Sequence, residues 1–110
     1  MSNKCYLNVR GILCTINILD LKEFAILHDK RAHGYTSNPP LTIDIRRDKL
    51  SLELVRHELV HAYYYASLVE EAQLKPLQVE EALASMFAHF GPEILKNADL
   101  IFKKLKADNK

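Results

Sequence analysis

The segment 52–62 constrains this chain more than any other. It is apolar on several faces of a helix, through Leu52, Leu54, Val55, Leu59, Val60 and Ala62, yet it carries His57, Glu58 and His61. A helix that is apolar nearly all round packs into an interior. Desolvating a carboxylate and two imidazoles costs several kcal/mol unless partners offset it. The fold must therefore supply a metal ion or a polar network at this helix.

The spacing points to a metal. Side chains four residues apart share a helix face, so His57 and His61 can reach one ion while Glu58 projects beside them. Neutral imidazole binds zinc at about 2.0–2.1 Å, and zinc accepts an open fourth position for water. Zinc lowers the pKa of that water to about 7. Glu58 can then take the proton as general base and pass it to a leaving amine. The plainer alternative is two histidines and a glutamate hydrogen-bonded in a core or exposed along one stripe.

A catalytic zinc normally has three protein ligands. A metzincin-type continuation needs glycine at position 64 and histidine at position 67, where the chain has Tyr64 and Ser67. The next acidic candidates on a helix are Glu80 and Glu81. The gap from His61 leaves room for one helix to end, a turn at Lys75-Pro76, and a second helix to return. Glu81, Ser85 and His89 form a polar stripe there, flanked by the small residues Ala84 and Ala88. Tyr63, Tyr64, Tyr65 and His89 are candidates for stabilising an oxyanion.

The rest of the chain is patterned for one α+β domain over residues 1–110. Cys5, Leu7 and Val9 alternate with polar residues; after Arg10-Gly11, Ile12, Cys14, Ile16 and Ile18 resume the apolar phase. A two-residue turn pairs Val9 with Ile12 and Leu7 with Cys14, giving a hairpin over about 4–18. Residues 20–33 read as a short helical turn or an irregular link. Strands follow at 34–37 and 41–45, around a turn at 37–40. The expected fold is a small, mainly antiparallel sheet packed on a zincin-like helix at about 50–68, capped by Asp48 or Ser51. Two further helices are expected at about 77–90 and 92–106, divided by Gly91-Pro92.

Composition narrows the function. Lys plus Arg number 15 against 14 Asp plus Glu, a formal +1, so no strong field gathers nucleic acid. No apolar run approaches the roughly 20 residues of a membrane span. The first residues, broken by Asn, Lys and Arg, do not read as a signal peptide. These features predict a cytoplasmic protein with Cys5 and Cys14 reduced.

The strings LVRHELVHAYYY and VEEALASMFAHFGPEI resemble the ImmA/IrrE family of metallopeptidases, a gluzincin-type group common in phages and other mobile elements. GYTSNPPLTIDI also resembles the family, and the likeness covers about residues 34–102. In that family the third ligand is a glutamate in a pattern close to E-x-x-[A/C]-N-x-F-A. Glu81, Ala84, Phe87 and Ala88 fit it, with Ser85 in place of Asn, so the resemblance selects Glu81 over Glu80. It implies Zn2+ held by His57, His61 and Glu81, Glu58 as catalytic base, and limited proteolysis of a regulator such as a helix-turn-helix repressor. In zincins an edge strand commonly binds extended substrate; the strand at 41–45 or its neighbour is the candidate. The rival expectation is a non-catalytic metal-binding or protein-interaction regulator derived from this fold.

Overall fold

A computed structural model describes residues 3–67 and 76–108. Strands β1 (Asn3–Val9) and β2 (Ile12–Leu19) precede helix α1 (Leu21–Leu27). Strands β3 (Gly34–Ser37) and β4 (Thr42–Arg46) follow, then one 3-10 turn over Arg47–Lys49. Helices α2 (Leu52–Ser67) and α3 (Pro76–Asp108) complete an α+β fold.

The hairpin forms in the expected register, Leu7 opposite Cys14 and Val9 opposite Ile12. Arg10 and Gly11 have φ of 54° and 85°. Positive φ at both central residues is the I′ turn, whose twist matches that of the flanking strands. Asn8 supports it, its side-chain oxygen accepting the Gly11 N–H at 2.7 Å.

The sheet order is β1-β2-β4-β3. The outer pairs, β1 with β2 and β3 with β4, are antiparallel, whereas β2 and β4 run parallel. The expectation of a mainly antiparallel sheet thus gives way to a mixed one. The reason lies in residues 20–33: α1 and β3 intervene between β2 and β4, and a crossover of a dozen or more residues can return a strand parallel. The order also makes β4 internal and β3 the edge strand.

One sheet face carries Cys5, Val9, Cys14, Ile16, Ile18, Ile43 and Ile45 into the core, where Val55, Leu59, Ala62 and Tyr63 of α2 and Ile94, Ala98 and Leu105 of α3 meet them. On the other face Asp44 accepts from Asn17 Nδ2 at 2.8 Å and pairs with His28 at 2.8 Å. The His28 ring stacks on Tyr35 and tilts against Phe24 of α1.

Ser51 is the cap of α2, its hydroxyl accepting the Leu54 N–H at 3.1 Å. Asp48, the other expected cap, instead receives both Nε and Nη2 of Arg46, at 3.1 and 2.7 Å. That guanidinium holds the Asp48 carboxyl below its ordinary range. Arg46 also donates to the carbonyls of Lys30 and Ala32, at 2.9 and 3.2 Å, and so fixes the loop that enters β3.

The expected helices 77–90 and 92–106 are one helix, α3, with Pro92 inside it. The break expected at Lys75 lies outside the described residues. Proline's fixed φ suits a helix; what it removes is one donor, here the bond to the Ala88 carbonyl. The buried positions Met86, Ile94, Ala98, Ile101 and Leu105 recur at helical spacing on both sides of Pro92, so packing carries the helix through.

Cys5 and Cys14 are buried and form no disulfide. Burial, then the neighbouring Cys5, pushes the Cys14 thiol up to about 12. Burial also raises the Tyr63 phenol to about 12, aided by its bond to Glu93. Both groups stay neutral in the folded chain at pH values where the unfolded chain ionises them, at 9.0 and 10.0. Their contribution to stability is therefore complete below about pH 9 and is lost as pH rises toward about 12. The urea midpoint should fall between about pH 8 and about pH 10.5, and Ellman's reagent should find no thiol at pH 8 before denaturation. Rapid labelling of the folded chain would contradict this burial.

Candidate metal centre

Helix α2 presents the three motif residues differently. His57 and His61 are exposed, His57 with 65% of its side chain accessible, whereas Glu58 is buried at 4%. The apolar residues of α2 thus bury one flank and leave the imidazole row open, which the composition of the helix alone did not indicate.

The two rings meet edge to face, with Nε2 atoms 3.2 Å apart. Two nitrogens bound to one tetrahedral zinc at about 2.05 Å would stand roughly 3.3–3.4 Å apart. The imidazole pair is therefore spaced to share an ion with little rearrangement. As they stand, one ring donates to the other, with the direction set by tautomer.

Glu58 turns from this pair toward β3. Its Oε1 accepts the Thr36 hydroxyl at 2.7 Å, and the same hydroxyl lies 3.2 Å from the Glu58 carbonyl. Oε2 lies 3.9 Å from His57 Nε2, on the imidazole side. Gly34 makes this closeness possible: a Cβ there would sit 3.1 Å from both Cγ and Oε2 of Glu58. Gly34→Ala should force the carboxylate aside and cost about 1–3 kcal/mol, as overpacking usually does. Urea unfolding tests this, and unchanged stability would show that the strand yields instead.

Two cavities flank the pair. One, of about 220 Å³, is lined by Gly34, Tyr35, Thr36, His57, Glu58, His61 and Tyr65. The other, of about 440 Å³, lies between the 31–34 loop, Leu54, His57 and Glu58. Both touch β3, the larger only at Gly34, and neither touches β4, so the neighbour of the 41–45 strand, and not that strand, borders the imidazole pair.

The oxyanion candidates now separate. Tyr63 is fully buried, its hydroxyl donating to Glu93 at 2.6 Å and accepting from Asn97 at 2.9 Å. Tyr64 and His89 line a different cavity, beside Arg10, Met86 and Phe90. Tyr65 alone of the four borders the imidazole cavity. The tyrosine row could not be divided by sequence, because successive helical residues point to all sides.

Glu81 and Glu80 are exposed near the start of α3, and no described residue of α3 lines either cavity beside His57. Among the described residues, no three His, Cys, Asp or Glu side chains are gathered closely enough to hold an ion. The structure thus brings together His57, His61 and Glu58 and leaves Glu81 apart. Ser85, at the family's Asn position, is likewise exposed. Thr36 and Gly34 are the site residues that sequence reasoning missed; only strand alternation placing both on one face of β3 could have pointed to them. Comparison with family models, curated proteins and solved structures finds no match to this chain.

Proposed function

We propose that this chain is a zinc-dependent metallopeptidase of the ImmA/IrrE type, acting on protein or peptide substrates in the cytoplasm. The observation that carries the reading is the 3.2 Å convergence of two Nε2 atoms beside a buried carboxylate. His57, His61 and Glu81 would hold the ion, which when bound supplies an acidified water and polarises a carbonyl.

The chain's own residues do the rest. Thr36 occupies Oε1 of Glu58, which leaves Oε2 to receive the water's proton and return it to the leaving amine. The edge strand β3 offers unpaired backbone groups on which an extended peptide can lie. A helix-turn-helix repressor is the substrate class the family resemblance suggests. The second reading, a non-catalytic metal-binding regulator, draws on the exposure of Glu81 and on Ser85 standing where the family has Asn.

Metal analysis after zinc-replete expression tests the proposal: about one zinc per chain is expected, and less than about 0.1 would defeat it.

A further inference from the structure

At the tip of the hairpin Arg10 holds a left-handed φ of 54°. Asn, Asp or Gly takes that position of an I′ turn at little cost, whereas arginine there is uncommon. A long side chain kept in such a conformation points to a role outside the turn. Its guanidinium lies over the Phe90 ring of α3, with Cζ 4.6 Å from the centroid. That ring is itself braced by His89 and Tyr63, at 4.6 and 5.8 Å between centroids. A guanidinium placed over a ring face keeps its N–H edges available to a two-oxygen acceptor. Among the described residues no carboxylate pairs with Arg10 or with Lys96.

Both cations border one cavity of about 550 Å³ between the hairpin and α3, with Leu7, Asn8, Glu93 and Asn97. Its size falls among ligand pockets, which run about 300–1,000 Å³. Asn8 spends its side-chain oxygen on the Gly11 N–H at 2.7 Å, so what it offers a ligand is its NH2. Glu93 and Asn97 are anchored through the Tyr63 hydroxyl, at 2.6 and 2.9 Å. They add a carboxylate and an amide carbonyl that accept N–H donors.

We propose that this cleft binds the terminal carboxylate of a peptide. Arg10 and Lys96 take the carboxylate, Asn8 adds a neutral donor, and Glu93 and Asn97 accept peptide N–H groups beside Leu7. Two cations against one carboxylate leave a single positive charge, which matches a monoanion. A phosphate monoester would bring nearly two negative charges beside Glu93 and is the poorer fit. None of these residues lines the cavities beside His57, so the site needs no metal and stands or falls apart from the metallopeptidase reading.

NMR titration of the isotope-labelled full chain tests this, using acetylated trialanine with a free carboxylate, the same peptide as its terminal amide, and inorganic phosphate. The free acid should shift the Arg10 Nε–H and the Asn8 and Asn97 side-chain amide signals, and the amide should bind at least about tenfold more weakly. Arg10→Asn suits the turn, so it should keep the melting temperature and weaken the acid about tenfold. Lys96→Gln, on an exposed helical position, should weaken it about three- to tenfold. The proposal is overturned if acid and amide bind alike, or if either variant binds the acid like wild type, which for Arg10 would leave only a staple between hairpin and helix. Phosphate displacing the peptide at equal concentration would overturn the peptide assignment. Absence of shifts at these signals up to about 20 mM peptide would overturn the site itself.

Discussion

Glu58→Gln is expected to keep one zinc per chain and to slow peptide cleavage by about 10²- to 10⁴-fold, the range ascribed to a positioned general base. The substitution preserves shape, and the amide oxygen can still accept from Thr36, which reaches Oε1 at 2.7 Å in the parent chain. What disappears is the oxygen on the imidazole side, Oε2, as a proton acceptor. Because Glu58 is not among the proposed ligands, zinc content should not follow activity. Mass-spectrometric cleavage of a randomised peptide library, measured beside zinc content, separates the two. Equal cleavage by wild type and variant would remove Glu58 from the chemistry. Equal behaviour toward a binding partner, with no cleavage by either, would favour the regulator reading.

His61→Ala should weaken zinc by about 10²- to 10³-fold, since the proposed site would lose one of its three protein ligands and such sites are worth on the order of 10 kcal/mol. Its effect on the metal-free protein should be slight. His61 is exposed, and exposed substitutions usually change stability by no more than about 0.5 kcal/mol. The expected signature is therefore split: the metal-free melting temperature holds, while the rise produced by added zinc vanishes. A variant that melts early without zinc would assign His61 a packing role that its exposure contradicts. His57→Ala should behave alike, because both rings line the same cavity and both are exposed.

The hairpin was fully legible because its period-two pattern and its Arg-Gly turn specify one register; a slip by one residue would turn Cys14, Ile16 and Ile18 outward. Most of α2 could be read from local chemistry for the same reason, and its cap could be narrowed to Asp48 or Ser51; the Arg46 guanidinium that engages Asp48 decides between them. The parallel pairing of β2 with β4 could not, because strand order depends on contacts far apart in sequence. Pro92 misled for a related cause. Its local preference ends a helix, but a buried row from Met86 to Leu105 outweighs one missing hydrogen bond.

At the site, spacing alone identified the imidazole pair and the neighbouring glutamate. It could not show that the imidazoles stay exposed while Glu58 is enclosed, since that contrast arises from β3 packing against one side of α2. The glycine and threonine that enclose it are not residue types that bind metals or titrate. Their roles follow only from alternate positions on a strand facing the helix.

Zinc K-edge absorption spectroscopy on the metal-loaded chain, repeated with His57→Ala and Glu81→Ala, tests the shared site most directly. Two imidazole nitrogens and a carboxylate oxygen at about 2.0–2.2 Å are expected, with one nitrogen lost in the first variant and the carboxylate oxygen in the second. A wild-type spectrum without a pair of imidazoles, or one unchanged by His57→Ala, would contradict the account.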